Sequence, residues 1–445
     1  LGPGLSNASA NLHNALKASS AVINLIGDHA TYHKKYDAPL NSDVIGLSQP
    51  VSHWVRTVKD AASLPGDAAD AVFSANVKPG QISTLIVPAD CAWIESVAPV
   101  AGRKMPAAPR ASDEAIAVAA RLLKSGKPTI LMMSKMALSE RSLELADKIS
   151  QATGARLFCD TLNKRLPRGE GRCSIERLGY FAEQATEQIK DAEQLIMVGT
   201  KAPVGFFAYP GKVSEFYPSG STLHTLAQVN EDAEDALQRV VDELDAGRFE
   251  PRRTSLQKPA LPTGELTPGN IGRAVAALMP TDTIVVDEGG TAGGPTFALT
   301  ATAEPHDWLM ITGGSIGYGL PASIGAAVAC PDRKVVCLQG DGGAMYTIQS
   351  LWTMARENLD ICIVIFANRR YQILQIELDR VGAQSMTKKT LDMLDISNPD
   401  IDFVKMAESM GVKANRASTA EEFNALLSVA MNEQGPRLIE AMVVQ

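Results

Sequence analysis

The stretch VVCLQGDGGAMYT, residues 335–347, decides the fold class because an apolar run leads directly into glycines that flank a single carboxylate, Asp341. An apolar run of this length is typical of a buried strand, and the segment after the glycines is predicted to be helical. Glycine lets the main chain approach a ligand closely. On its own, Gly-Asp-Gly is equally typical of a simple turn, so the surrounding pattern has to be considered.

Short apolar runs alternate with predicted helices along the chain. The predicted strands lie at 21–27, 83–90, 128–134, 155–160, 194–200, 283–289, 334–340, 361–368 and 437–444. This alternation indicates parallel sheets that are covered by helices on both faces. Two Pro-rich linkers, 97–111 and 249–264, divide the pattern into three units. We therefore predict an α/β fold of three doubly wound parallel-sheet domains, at residues 1–98, 110–248 and 264–445.

The first of these domains is predicted to be incomplete at its N-terminal side. The chain opens on Leu-Gly-Pro-Gly, without an initiator methionine and without a leading strand. A Gly-Pro-Gly turn would normally follow a strand. We therefore expect residues 1–98 to be the C-terminal part of a domain.

The composition excludes several classes of protein. The chain has 445 residues, of which 45% are hydrophobic and 21% charged, as in ordinary globular proteins. The net charge of -8 argues against binding to nucleic acid, and no run reaches the roughly 20 apolar residues that span a membrane. The six cysteines contain no Cys-x-x-Cys pair, which predicts reduced thiols in a cytoplasmic protein.

Two polar residues follow the ends of strong apolar strands, Asp341 and Asn368. Because ligands bind at the carboxyl ends of strands in open α/β sheets, we expect both side chains to face one crevice. Carboxylate, amide and main-chain oxygens suit Mg²⁺ or Ca²⁺ and are poor ligands for zinc. Bare glycine N–H groups and a helix start beside Asp341 favour a diphosphate. The sequence thus predicts a metal and diphosphate site.

These residues resemble the signature of the thiamine diphosphate (ThDP)-dependent enzymes, especially acetolactate synthase large subunits and the related benzoylformate decarboxylases. That signature is Gly-Asp-Gly, about two dozen residues, then Asn-Asn. Here Gly-Asp-Gly stands at 340–342 and, after 24 residues (343–366), Ala-Asn stands at 367–368. The resemblance implies that Mg²⁺ is bound by the Asp341 and Asn368 side chains and by the Arg370 carbonyl. It implies further cofactor contacts from Gly342, Gly343, Ala344 and Tyr371.

Three other segments resemble parts of the same family. GGSIGYGLPASIGA, 313–326, implies that Ile316 bends ThDP into a V shape and that the Gly314 carbonyl accepts from its amino group. For Ile316, simple packing at a helix start is the alternative. DEGGTAGG, 287–294, implies diphosphate contacts from Gly290 and Thr291, and LGPGLSN, 1–7, implies that Asn7 approaches the cofactor of another subunit.

The resemblance implies a transferase or lyase that acts on a 2-oxo acid by decarboxylation, carboligation or both, as acetolactate synthases do. Two alternatives stay open, a decarboxylase or C–C lyase of a bulkier 2-oxo acid and an inactive cofactor-binding homologue. The second arises because the activating glutamate of the family would precede Leu1, and residues 1–90 contain no glutamate. We expect a preceding segment to carry it.

The resemblance also implies a homodimer or a dimer of dimers, since the family binds its cofactor between subunits. FAD is not expected, because the loop at 198–212 lacks a Gly-x-Gly-x-x-Gly fingerprint. The predicted partners are thus a small-molecule 2-oxo acid substrate and further copies of this chain, and neither nucleic acid nor a membrane is expected.

Candidate substrate contacts come from two segments. His29 and His33 lie in GDHATYHKKYD, just after a predicted strand, and histidine can move protons near neutral pH. Ile373, Leu374 and Glu377 lie in the segment after Asn368. A plain surface loop explains the histidines equally well, and helix packing explains two of the other three.

Overall fold

The computed structural model describes residues 1–383 and 386–444 and arranges its strands in three sheets. The first unit has three parallel strands in the order β1-β3-β2. Its elements are α1 (Gly2–Ala18), β1 (Val22–Asp28), α2 (Val44–Ser48), β2 (Trp54–Thr57), α3 (Leu64–Asn76), β3 (Ile82–Pro88) and α4 (Ala89–Trp93). The opening Gly-Pro-Gly is the first turn of α1 and not a separate turn, because proline is well tolerated there.

The second unit is a five-stranded parallel sheet in the order β7-β5-β4-β8-β9. Side chains of Ser112, Ser139 and Asp232 cap three of its helices, which is why those helices begin where they do. The elements are α5 (Asp113–Leu123), β4 (Thr129–Met133), α6 (Glu140–Thr153), β5 (Arg156–Cys159), β6 (Leu166–Arg168), β7 (Glu176–Arg177), α7 (Ala182–Ile189), β8 (Gln194–Val198), β9 (Thr222–Ala227) and α8 (Ala233–Glu243).

The third unit is a seven-stranded sheet in the order β14-β15-β13-β12-β10-β11-β6. Its first elements are α9 (Pro268–Leu278), β10 (Thr283–Glu288), α10 (Gly290–Leu299), β11 (His306–Met310), α11 (Gly319–Ala329), β12 (Val335–Gly340), α12 (Asp341–Ala344) and α13 (Ser350–Arg356). The remaining elements are β13 (Ile361–Ala367), α14 (Gln372–Arg380), α15 (Lys388–Asp392), α16 (Phe403–Ser409), β14 (Lys413–Ala417), α17 (Ala420–Asn432) and β15 (Arg437–Met442).

Helices cover both faces of this third sheet. Val364 and Phe366 of β13 belong to one hydrophobic cluster, whereas Ile363 and Ile365 belong to another on the opposite face. Every residue of β13 is buried, as expected for a central parallel strand with an uninterrupted apolar sequence. The prediction of an α/β fold with doubly wound parallel sheets is therefore confirmed.

One strand departs from the predicted pattern. β6, which belongs to the second unit by sequence, pairs antiparallel with β11 at the edge of the third sheet, with Leu166 opposite Trp308. The second and third units also share one hydrophobic cluster, which includes Leu131 and Val336. The predicted domain boundaries stay predictions, but the two units are joined by a strand and a common core.

Two general features bear on the other predictions. No helix in the described part of the chain is both long and apolar enough to cross a bilayer. None of the six cysteines is in a disulfide, and five of them are buried. The cytoplasmic location stays a prediction.

Candidate functional site

Four loops leave the carboxyl edge of the third sheet next to one another. They follow β10, β11, β12 and β13, whose strand ends are in register: Glu288 lies opposite Gln339, and Gly340 lies opposite Phe366. Because the strands are parallel, their loops emerge on the same side. The structure therefore brings the predicted cofactor and metal residues between 290 and 371 together at this edge of the sheet. We call the edge formed by these four loops the rim.

Asp341 is buried at this rim, with 4% of its surface exposed. Its Oδ1 accepts the main-chain N–H of Gly342 at 2.8 Å, and its Oδ2 accepts that of Arg369 at 2.6 Å. Burial raises the pKa of the Asp341 carboxyl, and the main-chain N–H groups partly offset that effect. The carboxylate is thus held directly against the loop that carries Asn368.

The loop after β13 is shaped by Arg369, which has a φ of 60°. The turn lets the Asn368 Oδ1 accept the N–H of Arg370 at 3.2 Å. The N–H of Tyr371 donates to the Leu394 carbonyl at 2.8 Å, which ties the loop to a neighbouring segment. Among the described residues, none donates a hydrogen bond to the Arg370 carbonyl. This carbonyl is therefore available as a ligand.

The chemistry of this donor set fits a hard cation. It consists of the Asp341 carboxylate, the Asn368 amide oxygen and the Arg370 carbonyl, which are the oxygen types that bind Mg²⁺ or Ca²⁺. Within residues 1–383 and 386–444, no three His, Cys, Asp or Glu side chains gather in a way that could hold a metal. The site thus suits Mg²⁺ with phosphate and water as further ligands, and it does not suit zinc.

The rim glycines are needed for two different reasons. A Cβ at Gly342 would lie 2.4 Å from the Tyr371 ring, and a Cβ at Gly343 would lie 2.7 Å from Glu288 Oε1. Gly290 and Gly314 instead have φ values of 57° and 70°, and a Cβ there would meet no atom within 4 Å. Tight packing therefore excludes side chains in the first pair, whereas the second pair turns the backbone beside open space that a cofactor could fill.

The residues that were predicted to contact the cofactor's organic part are accessible. Ile316 is 40% exposed and belongs to none of the hydrophobic clusters, so packing at a helix start does not explain it. The Gly314 carbonyl accepts no hydrogen bond from any residue within the described ranges. Thr291, on the neighbouring loop, donates to the Gln372 side chain at 3.1 Å, and Asn368 donates to the same oxygen at 3.4 Å.

Glu288 was missed by sequence reasoning. It is 6% exposed, and its carboxylate accepts the main-chain N–H groups of Gly317, at 2.6 Å, and Gly319. Burial raises the pKa of its carboxyl. Glu288 therefore joins the loop after β10 to the loop that carries Ile316. The sequence pattern that pointed to Asp341 could also have identified Glu288, because both are acidic residues between an apolar strand and glycines.

The candidates in the first unit do not contact this rim. Asn7 is exposed on α1. His29 and His33 follow β1, and their ring centroids lie 5.6 Å apart. No hydrogen bond or ring contact joins these three residues to the rim within the part of the chain that the structure describes. The Nε2 atom of His29 is buried without a hydrogen-bond partner.

The candidate substrate residues on α14 differ in their surroundings. Leu374 is 46% exposed, whereas Glu377 has a buried Oε1 atom beside the second unit. Burial and the neighbouring Glu377 raise the pKa of Tyr209 to about 12. Arg380, one turn further on, forms an ion pair with Glu183 at 2.9 Å. The second unit's 198–212 loop therefore packs on α14, which sequence reasoning did not predict.

Comparison with known proteins agrees with this geometry. The family model of the thiamine pyrophosphate enzyme C-terminal TPP-binding domain matches residues 290–441, which include the loops after β11, β12 and β13. The Mycobacterium tuberculosis protein named "Putative acetolactate synthase large subunit IlvX" is 48% identical over 444 residues, covering 100% of this chain and 85% of that protein. The Escherichia coli K12 acetolactate synthase isozyme 1 large subunit is 26% identical over 473 residues, covering 99% and 81%.

The fold is also found in a solved structure. The crystal structure of benzoylformate decarboxylase from Polynucleobacter necessarius is similar with a TM-score of 0.83 at 20% identity, covering 100% of this chain and 86% of that one. The long match to an acetolactate synthase-like relative and the family model on the rim loops point to the same group. The chain therefore belongs to the ThDP (thiamine pyrophosphate)-dependent enzyme superfamily and is acetolactate synthase large-subunit-like.

Proposed function

We propose that this protein uses ThDP and Mg²⁺ to decarboxylate a 2-oxo acid and to ligate the product to a second carbonyl compound, in the manner of an acetolactate synthase. The observation that carries the proposal is the rim where the Asp341 carboxylate meets the 368–371 loop beside bare glycines. The name of the 48% identical relative supports the choice of reaction.

Different groups of this chain would bind the metal, the diphosphate and the organic part of the cofactor. Asp341, Asn368 and the Arg370 carbonyl would hold Mg²⁺, since they supply oxygen donors and no residue that the structure describes donates to that carbonyl. The main chain of 342–344 and the Gly290–Thr291 turn would bind the diphosphate. The Gly314 carbonyl, which accepts nothing from the described residues, would accept an N–H from the cofactor, and exposed Ile316 would support the cofactor by apolar contact.

When bound, ThDP supplies a carbon nucleophile and an electron sink for the carbanion that loss of CO₂ creates. The protein has to bind the 2-oxo acid, exclude water and move protons. We assign Ile373 and Leu374 to the apolar wall of that pocket and Glu377 to its edge. His29 and His33 are the proton-transferring candidates, because an imidazole ring can both accept and donate a proton.

A homodimer would complete the site. Asn7, His29 and His33 lie in the first unit and, within the described residues, have no hydrogen bond or ring contact with the rim of their own chain, so they could serve a second copy. Isologous pairing of two subunits would then form two equivalent sites. Sedimentation velocity measurement should show a dimer or tetramer.

The proposal is tested with the natural full-length protein, ThDP, Mg²⁺ and a panel of 2-oxo acids that contains pyruvate, 2-oxobutyrate and benzoylformate. We expect CO₂ release and, by proton NMR, a 2-hydroxy-2-alkyl-3-oxo acid from the aliphatic substrates. A free aldehyde from benzoylformate alone would show a decarboxylase of bulkier substrates instead. Saturable ThDP binding without turnover would show an inactive homologue. Absence of ThDP binding would overturn the proposal.

A visible absorbance spectrum of the purified protein tests the expectation about FAD. Flavin absorbance in stoichiometric amount would contradict it.

A further inference from the structure

α1 of the first unit holds the loop after β11 through a buried amide. Asn14 is 2% exposed, and its Nδ2 donates to the Ser315 carbonyl at 2.8 Å while its Oδ1 accepts the Ser315 N–H at 3.1 Å. The main-chain carbonyl of Asn14 accepts a hydrogen bond from Thr312 Oγ1 at 2.8 Å. The Asn14 Nδ2 also donates to Asn11 Oδ1 at 3.0 Å. The side chain thus has all its polar atoms engaged, mostly with one loop.

Two more side chains of α1 take part. His13 Nε2 lies 3.2 Å from the Gly313 carbonyl, and Asn11 Nδ2 donates to the Gly317 carbonyl at 3.0 Å. A Cβ at Gly313 would lie 2.7 Å from both the His13 ring and Asn14 Oδ1, so only glycine permits this approach. We call the Asn11, His13 and Asn14 side chains the α1 clamp.

The α1 clamp forms hydrogen bonds with every second main-chain carbonyl of the loop after β11. The carbonyls of Gly313, Ser315 and Gly317 each accept from it, and the Gly314 carbonyl between the first two accepts nothing from the residues that the structure describes. On the other side, the Glu288 carboxylate holds the Gly317 N–H. The loop is therefore restrained from two directions while Gly314 and Ile316 stay open to a ligand.

We propose that Asn14, assisted by Asn11 and His13, is a positioning residue that pre-organises the Gly314 carbonyl and Ile316 for the cofactor. This inference rests on the proposed function for the identity of the ligand. Its physical basis is that a loop already held in its bound conformation costs less ordering free energy on binding. The first unit would then set cofactor affinity within its own chain.

The test compares Asn14→Ala, Asn11→Ala and His13→Ala with Ser9→Ala, an exposed change on the same helix, in the full-length protein. Two quantities are measured, the ThDP affinity at saturating Mg²⁺ by calorimetry and the hydrogen exchange of residues 311–319 without cofactor. For Asn14→Ala we expect about tenfold weaker ThDP binding, since buried hydrogen-bond partners are left unpaired. Exchange should rise in 311–319 but not in β12 or β13, and Ser9→Ala should change neither quantity.

Asn14→Ala that binds ThDP like the wild type, or that raises exchange evenly throughout the chain, would overturn the inference. If Asn14→Ala does not fold, the same two measurements on Asn11→Ala and His13→Ala, both at half-buried positions, test the inference instead. If the wild type binds no ThDP, the proposed function fails. The exchange comparison then still decides whether the α1 clamp holds the loop.

Discussion

The Asp341 carboxylate accepts the main-chain N–H of Arg369 at 2.6 Å, across the ends of two neighbouring strands. This hydrogen bond joins the Gly-Asp-Gly loop to the loop that carries Asn368. It holds the carboxylate against the main chain of the residue that follows Asn368. The proposed metal site would therefore have its Asp341 carboxylate held in place by the protein's own main chain.

Asp341→Ala is expected to abolish Mg²⁺-dependent ThDP binding. Loss of a group that only supports a metal ligand can cost up to about 100-fold in affinity, and loss of the ligand itself should cost at least that. Calorimetric titration of ThDP at several Mg²⁺ concentrations measures the effect. Asp191→Ala, at an exposed position in the second unit, is the control. Retained Mg²⁺-dependent binding in Asp341→Ala would show that the metal lies elsewhere.

Ile316→Ala is expected to weaken cofactor binding while leaving the stability of the folded protein almost unchanged. Because Ile316 is 40% exposed, its truncation should change the free energy of unfolding by less than about 0.5 kcal/mol. If Ile316 contacts the cofactor as proposed, losing that apolar contact should weaken ThDP binding by roughly tenfold or more. Ile284→Ala, at a buried position in β10, should do the reverse and cost about 2–5 kcal/mol of stability. Equal ThDP affinities of Ile316→Ala and the wild type would remove Ile316 from the site.

Gly342→Ala is expected to be destabilising because its new methyl group would lie 2.4 Å from the Tyr371 ring. Overpacking of this kind costs about 1–3 kcal/mol. In a double-mutant cycle, Tyr371→Ala should recover much of that loss, which denaturant unfolding without cofactor can measure. Gly294→Ala, in α10 where a Cβ meets no atom, should be neutral or stabilising. Strict additivity of Gly342→Ala and Tyr371→Ala would contradict the packing.

His306 is expected to make the folded protein less stable in acid. It is fully buried, its Nδ1 donates to the Glu304 carbonyl at 2.7 Å, and burial lowers its pKa to about 4. As the pH falls below about 6.5, the unfolded chain binds a proton that the folded chain does not, so stability decreases until about pH 4. Between pH 7 and pH 5 this loss should be about 2 kcal/mol.

His306→Asn keeps a donor for the Glu304 carbonyl and removes the titrating ring. The dependence of the unfolding free energy on pH should therefore be flatter for His306→Asn than for the wild type. The same change at exposed His33 should leave the wild-type dependence in place. An unaltered slope in His306→Asn would mean that other groups cause the acid sensitivity.

Much of the fold could be predicted because apolar runs and glycines act locally. The strand predicted at 361–368 is observed as β13, which ends one residue earlier, at Ala367. The segment after the glycines was predicted to be helical, and α13 begins in it at Ser350. Short elements such as β6 were missed, because three residues carry no detectable periodicity.

The amino-acid sequence by itself determined the alternation of buried strands and helices and the positions of Asp341 and Asn368 directly after apolar runs, since each of these features depends on residue types within one short segment. Only the tertiary structure decided that Asn14 binds Ser315, 301 residues away, and that Glu288 holds Gly317. It also decided that β6 joins another unit's sheet. These contacts depend on how distant elements pack, and no local periodicity records that packing.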